Sequence, residues 1–185
     1  MEEKTLYTIT VFSENAVGVL NQITTIFTRR QINIETLSVS PSAIQGIHKF
    51  TITAFSESEE AMKKLVRQID KRVDILKAYY NINAELVHQE IALYKIETSK
   101  LLATNMVEKL VRKHNARILD VSEHATVIQK TGHYKDTQAL FEELSQSIGV
   151  LQFIRSGRVA ITKSKVERLS DMLSKREEEK KEHKH

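Results

Sequence analysis

The sequence predicts an α+β protein made of two small domains, each ordered strand, helix, strand, strand, helix, strand, and followed by a charged tail. Two observations support this prediction. Runs of β-branched and aromatic residues alternate with segments whose apolar residues fall at helical spacing. The same succession then occurs a second time, and 185 residues are enough for two domains that each bury a modest core.

The first predicted domain, residues 1–83, has two helices whose apolar residues lie three or four positions apart, which predicts a buried face on each. Acidic residues precede the second helix, where carboxylates favour the helix dipole. The predicted strands are Thr5–Phe12, Ile32–Ser40, Ile47–Phe55 and Val73–Ile82, the helices Gly18–Arg30 and Glu59–Ile69, and the core residues Leu20, Ile23, Phe27, Ala61, Leu65 and Ile69.

The second predicted domain, residues 84–162, repeats this order, which is that of the ferredoxin-like fold. Residues 163–185 follow as a highly charged helical or disordered tail. The predicted strands of this domain are Val87–Glu97, Arg117–Val121, Ala125–Gln129 and Val150–Ile154, the helices Ala103–His114 and Thr137–Ser147, and the apolar core positions Met106, Leu110, Leu140, Leu144, Ile148 and Leu151.

A short polar turn with a single glycine joins the first strand to the first helix. The first turn of a helix has unpaired N–H groups and a partial positive charge, so it can hold a carboxylate. Asn15 in the turn and Asn33 at the start of the next strand could add amide donors and acceptors. We therefore predict a site for a small amino acid or similar anion, although a helix cap and a tight turn would by themselves also explain Asn15 and Gly18.

These segments resemble the small regulatory subunit of acetolactate synthase, an ACT-domain family, over roughly residues 5–162. The resemblance lies in three motifs, Asn15-x-x-Gly18-x-Leu20, Asn33-Ile34-Glu35-x-Leu37-x-Val39 and Arg155-Ser156-Gly157. One position departs from the family pattern, because this chain has Gln31 where the family commonly has glycine just after the first helix. We therefore expect this helix C-terminus to be capped differently, with Gln31 or Arg30 bridging.

The resemblance implies that the first domain is an ACT domain that forms a homodimer and binds an effector, usually valine, between two protomers. The loop of one protomer would approach the effector carboxylate, and the second strand of the other would complete the site. Val17, Val19 and Ile34 would line a branched side chain, and Asn33 would bind the ammonium. The implied effector-binding residues are Asn15, Ala16, Val17, Gly18, Val19, Leu20, Asn33 and Ile34.

The resemblance also implies a catalytic partner. That large subunit would carry thiamine diphosphate, Mg²⁺ and FAD, and would join two pyruvates, or pyruvate and 2-oxobutyrate, at the start of valine, leucine and isoleucine biosynthesis. This chain would hold no cofactor, would raise the activity of the large subunit and would confer feedback inhibition. The mechanism would be allosteric, with effector binding favouring one arrangement of the regulatory dimer.

Residue composition and spacing argue against catalysis by this chain itself. The absence of cysteine excludes disulfides, thiol nucleophiles and zinc–thiolate sites. The internal histidines never take the i, i+4 spacing of a helical metal pair, and there is no G-x-S-x-G elbow, P-loop or G-x-G-x-x-G segment. The sequence therefore predicts neither an active site nor a metal site.

Charge and hydropathy bear on location and on other partners. Although the net charge is +4, the basic groups fall mostly late in the predicted helices, which favours solvated helix faces over a nucleic-acid surface. No apolar run approaches the ~20 residues that cross a bilayer, and the N-terminus lacks the apolar region of a secretory signal. We therefore expect a cytoplasmic protein with neither nucleic-acid nor membrane partners.

Two alternatives remain open from the sequence. An RNA-recognition domain has the same element order, but Phe50 and Phe55 are predicted to point to opposite faces of their strand, where that fold needs aromatic residues on one face. An ACT-domain protein could also regulate a different enzyme or a promoter. The sequence leaves undecided which branched-chain amino acid is preferred and the stoichiometry with the catalytic subunit.

Overall fold

The computed structural model describes residues 4–103 and 105–163, so the predicted tail lies outside the described residues except for Lys163. The chain divides into two compact units. One extends to Val87 and resumes at Ala160, and the other is His88–Val159. The boundaries that the sequence suggests, 83/84 and 162/163, stay a prediction.

The first unit contains a four-stranded antiparallel sheet and two helices, in the predicted βαββαβ order. Its elements are β1 (Thr5–Glu14), α1 (Val19–Arg29), β2 (Thr36–Pro41), β3 (Ile47–Ser56), α2 (Glu59–Asp70) and β4 (Ile75–Ile82). The strands lie in the order β2-β3-β1-β4, so the two central strands, β1 and β3, are the longest and pair along their whole length. As a consequence β2 and β4 are the edge strands.

The core of this unit lies between one face of the sheet and the two helices. Strand β1 directs Tyr7, Ile9 and Val11 to this face, as the two-residue period of a strand requires. Helix α2 begins at the N-cap Ser58, whose side chain accepts a hydrogen bond from the Ala61 N–H at 3.2 Å. The helix residues buried in this core are Val19, Ile23, Ile26, Phe27, Met62, Leu65, Val66 and Ile69.

Helix α1 ends in a Schellman motif, which corrects the expectation that its cap would differ from one built on glycine. Gln31 itself adopts the left-handed conformation, with φ 54°. Its N–H donates to the Thr28 carbonyl at 3.0 Å, and the Ile32 N–H donates to the Phe27 carbonyl at 3.1 Å. Neither the Gln31 nor the Arg30 side chain is needed as a bridge, because backbone bonds and the packing of Ile32 against the core hold the turn.

Gln31→Gly should stabilise the protein. Glycine removes the left-handed penalty of a side-chain-bearing residue, and its extra freedom in the unfolded chain offsets part of the gain, so we expect about 0.5–1 kcal/mol more unfolding free energy. The matched control is Asn115→Gly, because Asn115 holds the corresponding position after a helix of the second unit, with φ 49°. Asparagine tolerates this conformation better, so its gain should be smaller. Urea unfolding followed by circular dichroism measures both, and a loss at Gln31 would contradict the interpretation.

The second unit repeats the sheet with one helix more than predicted. A 3-10 turn at Asn83–Glu85 leads into β5 (Leu86–Glu97), α3 (Thr98–Ala103), α4 (Met106–Lys113), β6 (Arg117–Val121), β7 (Ala125–Gly132), α5 (Tyr134–Ser147) and β8 (Gln152–Thr162). The strand order β6-β7-β5-β8 matches that of the first sheet. Its core joins Ala92, Tyr94, Ile96, Val107, Leu110, Ile128, Leu140 and Leu144.

Three predicted elements differ most from the structure, while the bounds of the others agree within three residues. The second strand starts at Thr36 rather than Ile32, because the residues between them form the connection that follows the left-handed turn. The predicted helix Ala103–His114 is shorter and is preceded by the separate helix α3. The last strand continues to Thr162, beyond the predicted end at Ile154. Its pairing with β5 extends the strand through a charged segment that contains glycine, a composition that does not predict a strand.

The predicted core is confirmed at most positions and wrong at three. Ile23, Phe27, Leu65, Ile69, Leu110, Leu140 and Leu144 are buried. Leu20 and Met106 are each 44% exposed, and Leu151 is exposed as well. In both helices a neighbouring valine, Val19 or Val107, occupies the buried face instead, since adjacent residues lie about 100° apart around a helix.

Candidate functional site

The loop between β1 and α1 is held by hydrogen bonds to two other segments of the first unit. The Glu14 N–H donates to the Asp74 carbonyl at 3.0 Å, and the Asn15 N–H donates to the Gly46 carbonyl at 2.9 Å. Within α1, the Gln22 side-chain amide donates to the Asp74 carboxylate at 3.0 Å. The segment before β4 therefore anchors both the loop and the first turns of the helix.

Gly18 is the N-cap of α1 and leaves this helix end open. Its backbone has φ 90° and ψ −8°, and no side chain caps the helix. The first turn of α1 contains no acidic residue, and a Cβ built on Gly18 would meet no atom within 4 Å. The arrangement combines free space, a positive helix end and N–H groups without a side-chain acceptor, which is suited to a carboxylate.

The side chains of the loop divide by exposure. Asn15, Ala16 and Val17 are exposed, and Val17 is fully so. Leu20 extends an apolar exposed surface next to the open helix end. Val19 is only 3% exposed and lies in the core, so it could offer a ligand its backbone N–H but not the apolar wall that the resemblance implies.

Asn33 and Ile34 lie beyond the other end of α1. This helix has 11 residues and is therefore about 16 Å long. The Asn33 side-chain amide donates to the Glu35 carboxylate at 3.1 Å, and Ile34 is half-buried against the core. One chain thus brings together the residues from Asn15 to Leu20 but keeps Asn33 and Ile34 at a distance from them.

Three residues that the sequence analysis did not assign to the site take part in its geometry. Glu35 places an exposed carboxylate beside Asn33, where it offers an ammonium a stronger acceptor than an amide oxygen. Its position within the quoted motif was an available signal. Gln22 and Asp74 fix the loop, but they are 52 residues apart, so no local pattern relates them.

The Arg155-Ser156-Gly157 segment lies in β8 and forms a mostly buried polar cluster of the second unit. Arg155 Nε lies 3.2 Å from the carboxylate of Glu90, which is 7% exposed, at ion-pair distance but without hydrogen-bond alignment. Arg155 Nη2 donates to the Gln138 side-chain oxygen at 2.7 Å, and its Cζ lies 4.0 Å from the ring centre of Tyr134. The arginine therefore neutralises a buried acid.

Further contacts complete this Glu90 cluster. The Thr137 hydroxyl donates to the Glu90 carboxylate, and the Tyr94 hydroxyl donates to the Thr137 carbonyl at 2.6 Å. Burial raises the pKa of Tyr94 well above its ordinary value, so this hydroxyl remains a donor at physiological pH. The Ser156 hydroxyl accepts from the Ile91 N–H at 3.0 Å and so ties β8 to β5.

Residues 4–103 and 105–163 lack the features of three other kinds of site. Within them, no group of three or more histidine, aspartate or glutamate residues is placed to hold a metal ion. In the same part of the chain, no helix has the length and apolar character that crossing a bilayer requires. Phe50 is buried and Phe55 is exposed, so these two residues do not form an aromatic face for stacking on RNA bases.

Comparison with known proteins gives concordant matches in both halves of the chain. Residues 9–77 match the family model described as the AHAS small subunit-like ACT domain, and residues 89–164 match the model described as the small subunit of acetolactate synthase. The acetolactate synthase small subunit of Bacillus subtilis is 31% identical over 167 residues, which cover 90% of this chain and 95% of that protein.

Two further similarities agree. The probable acetolactate synthase small subunit of Methanothermobacter thermautotrophicus is 27% identical over 161 residues, 87% of this chain and 95% of that protein. The crystal structure of the acetolactate synthase small subunit of Thermotoga maritima aligns with a TM-score of 0.76, over 87% of this chain and 99% of that chain, at 24% identity. That likeness confirms the predicted fold of two ferredoxin-like domains, the first of ACT type.

Proposed function

Because the chain belongs to the acetolactate synthase small-subunit family, we propose that it raises the activity of a catalytic large subunit and makes that activity sensitive to a branched-chain amino acid, with valine as the expected effector. Membership of a small-subunit family implies the large-subunit partner. Stimulation, feedback inhibition and the choice of valine are the parts that this proposal adds.

The open N-terminus of α1 at Gly18 is the observation that carries the effector proposal. In our scheme the valine carboxylate accepts hydrogen bonds from the first-turn N–H groups, and the missing side chain of Gly18 lets it approach the backbone. The exposed Val17 and Leu20 are placed to contact an isopropyl group. An effector bound in this way would leave its ammonium pointing away from the helix.

A second copy of the chain would supply the group that receives this ammonium. Asn33, Ile34 and Glu35 lie about one helix length from Gly18 in the same chain, so they could reach the ligand only from another protomer. They lead directly into β2, an edge strand of the sheet, whose outer backbone groups are open to pairing. We therefore propose that the effector binds at a homodimer interface formed by the first unit.

The homodimer has a direct test. Sedimentation equilibrium at micromolar concentration should give twice the mass of one chain, and Asn33→Ala/Glu35→Gln should weaken valine binding although neither residue lies near Gly18 of its own chain. Isothermal titration calorimetry measures that binding. A monomer that still binds valine with the affinity of the native protein would contradict the shared site.

Reconstitution tests the regulatory function itself. We expect the purified chain to form no acetolactate from pyruvate when thiamine diphosphate, Mg²⁺ and FAD are supplied, because we propose that these cofactors bind the large subunit. Addition of the chain to the large subunit should raise acetolactate formation, and valine should then lower it. Turnover by this chain alone, or a large subunit whose rate does not change on its addition, would contradict the proposal.

A further inference from the structure

A basic groove lies between the C-cap of α1 and the second half of α2 in the first unit. It is lined by Arg30, Lys64, Arg67, Gln68 and Lys71 and has a volume of about 260 Å³. This is below the roughly 300–1,000 Å³ of sites for drug-sized ligands, so the groove suits a compact ligand. Four of its five lining residues are cations, and none is a carboxylate.

These cations are poorly neutralised by the protein. Arg30 Nε donates to the Gln68 side-chain oxygen at 3.0 Å, so its contact across the two helices is with a neutral group. Lys64 pairs with Glu60 at 2.9 Å on the preceding turn of α2. In the described part of the chain, no carboxylate lies at ion-pair distance from Arg30, Arg67 or Lys71.

The helix dipoles account for only part of this charge. Each helix C-terminus carries about half a negative charge, so the two ends offset roughly one cation. The carbonyls at the end of α1 are in addition already bonded within the Schellman motif. Because Glu60 neutralises Lys64, the three cations Arg30, Arg67 and Lys71 remain, and the two helix ends together supply about one negative charge. The groove therefore keeps an excess of positive charge.

The corresponding helix ends of the second unit are built differently. There α4 ends at the C-cap His114, and Lys113 and His114 both lie close to the Glu143 carboxylate of α5, at 2.7 and 3.2 Å. Lys113 holds the pKa of Glu143 below its ordinary value. Arg112 pairs with Glu108 at 2.6 Å. In the second unit the Glu143 carboxylate of α5 faces the cations at the end of α4, whereas in the first unit the neutral Gln68 of α2 faces Arg30. The same fold therefore forms without a positive groove.

We propose that the groove binds a compact multivalent anion, of the diphosphate or tricarboxylate class. Two guanidinium groups can each donate two parallel hydrogen bonds to phosphate or carboxylate oxygens, and the lysines add point charges around them. Arg30 lies at the opposite end of α1 from Gly18, and the groove goes beyond the proposed effector function. Its occupancy does not depend on whether valine binds.

Calorimetric titration of the full chain with pyrophosphate tests the proposal, with citrate as the second arm. Pyrophosphate or citrate should bind with one site per chain, more weakly as salt rises, and should raise the melting temperature relative to sodium chloride of equal ionic strength. Arg67→Gln/Lys71→Gln should weaken this binding at least about tenfold, because it removes two of the cations that face the ligand. Tighter binding of pyrophosphate would identify a diphosphate as the ligand class, and tighter binding of citrate would identify a tricarboxylate.

The matched control is Arg112→Gln/Lys113→Gln, which removes the same net charge from the C-terminal end of α4 in the second unit. It should keep the native affinity within about twofold, since those cations are paired internally. The proposal is overturned if neither probe binds saturably, if the two double variants lose affinity equally, or if a folded Arg67→Gln/Lys71→Gln protein binds as the native protein does.

Discussion

Replacing Gly18 by aspartate is expected to weaken valine inhibition of the reconstituted enzyme at least about fivefold while its stimulation by this chain persists. The new carboxylate would face the valine carboxylate at the open end of α1, where no protein atom lies within 4 Å of a Cβ. A like charge at about 4 Å costs about 1–4 kcal/mol, which raises the inhibition constant between roughly fivefold and eight-hundredfold. The measurement is acetolactate formation against rising valine concentration.

Two variants separate the causes of this effect. Gly18→Asn adds similar bulk without charge, so it should weaken inhibition less. Gly149→Asp places the same residue at a second glycine with positive φ, 81°, and with equally open surroundings, but in the second unit. Both aspartates should cost about 1–2 kcal/mol of stability through the backbone, which melting curves will show. A folded Gly18→Asp protein that valine inhibits normally would place the effector elsewhere.

Arg155→Met should destabilise the second unit by about 2–4 kcal/mol. Methionine keeps much of the apolar stem but removes the cation that lies 3.2 Å from the buried Glu90 carboxylate and leaves Arg158 as the other positive charge acting on it; a poorly compensated buried charge is among the costliest single changes. Urea unfolding followed by circular dichroism measures the loss. The double variant Arg155→Met/Glu90→Gln should recover part of it, because the charge that the arginine neutralised is then absent.

The matched control for this prediction is Arg117→Met. Arg117 also lies on a strand of the second sheet, but it is exposed and donates from Nε to the neutral Gln129 side chain at 3.1 Å. Its loss should cost less than about 0.5 kcal/mol. Equal effects at the two arginines would show that the Glu90 pair contributes nothing specific, and the Arg155 segment would then need another explanation.

The local patterns that predicted the fold were those with a strong period. Helix α2 was predicted almost to the residue because Leu65 and Ile69 recur at helical spacing after acidic residues that favour a helix start, and β3 because a β-branched run follows a turn. Helix α3 was not predicted because a helix of six residues is too short to show a hydrophobic period. The predicted strand β8 ended too early because its pairing with β5, and not its composition, extends the strand past Gly157.

The candidate loop was predicted from the chain alone because its determinants are contiguous. A glycine before an amphipathic run specifies a helix start, and positive φ at Gly18 follows from the freedom of glycine. The same reasoning misjudged Val19 and Leu20, because burial depends on which face of the helix meets the sheet. A shift of one residue around a helix exchanges a core position for an exposed one.

The sequence by itself therefore determined the two βαββαβ domains, the open helix end at Gly18 and the family. Each of these depends on residue types at short, regular separations along the chain. Only the tertiary structure decided that Gln31 takes the left-handed cap, that Asp74 fixes the loop and that Arg155 neutralises Glu90. These contacts join residues far apart in the chain or impose a backbone conformation against local preference. Their free energies come from packing and from the desolvation of charge, which exist only once the chain has folded.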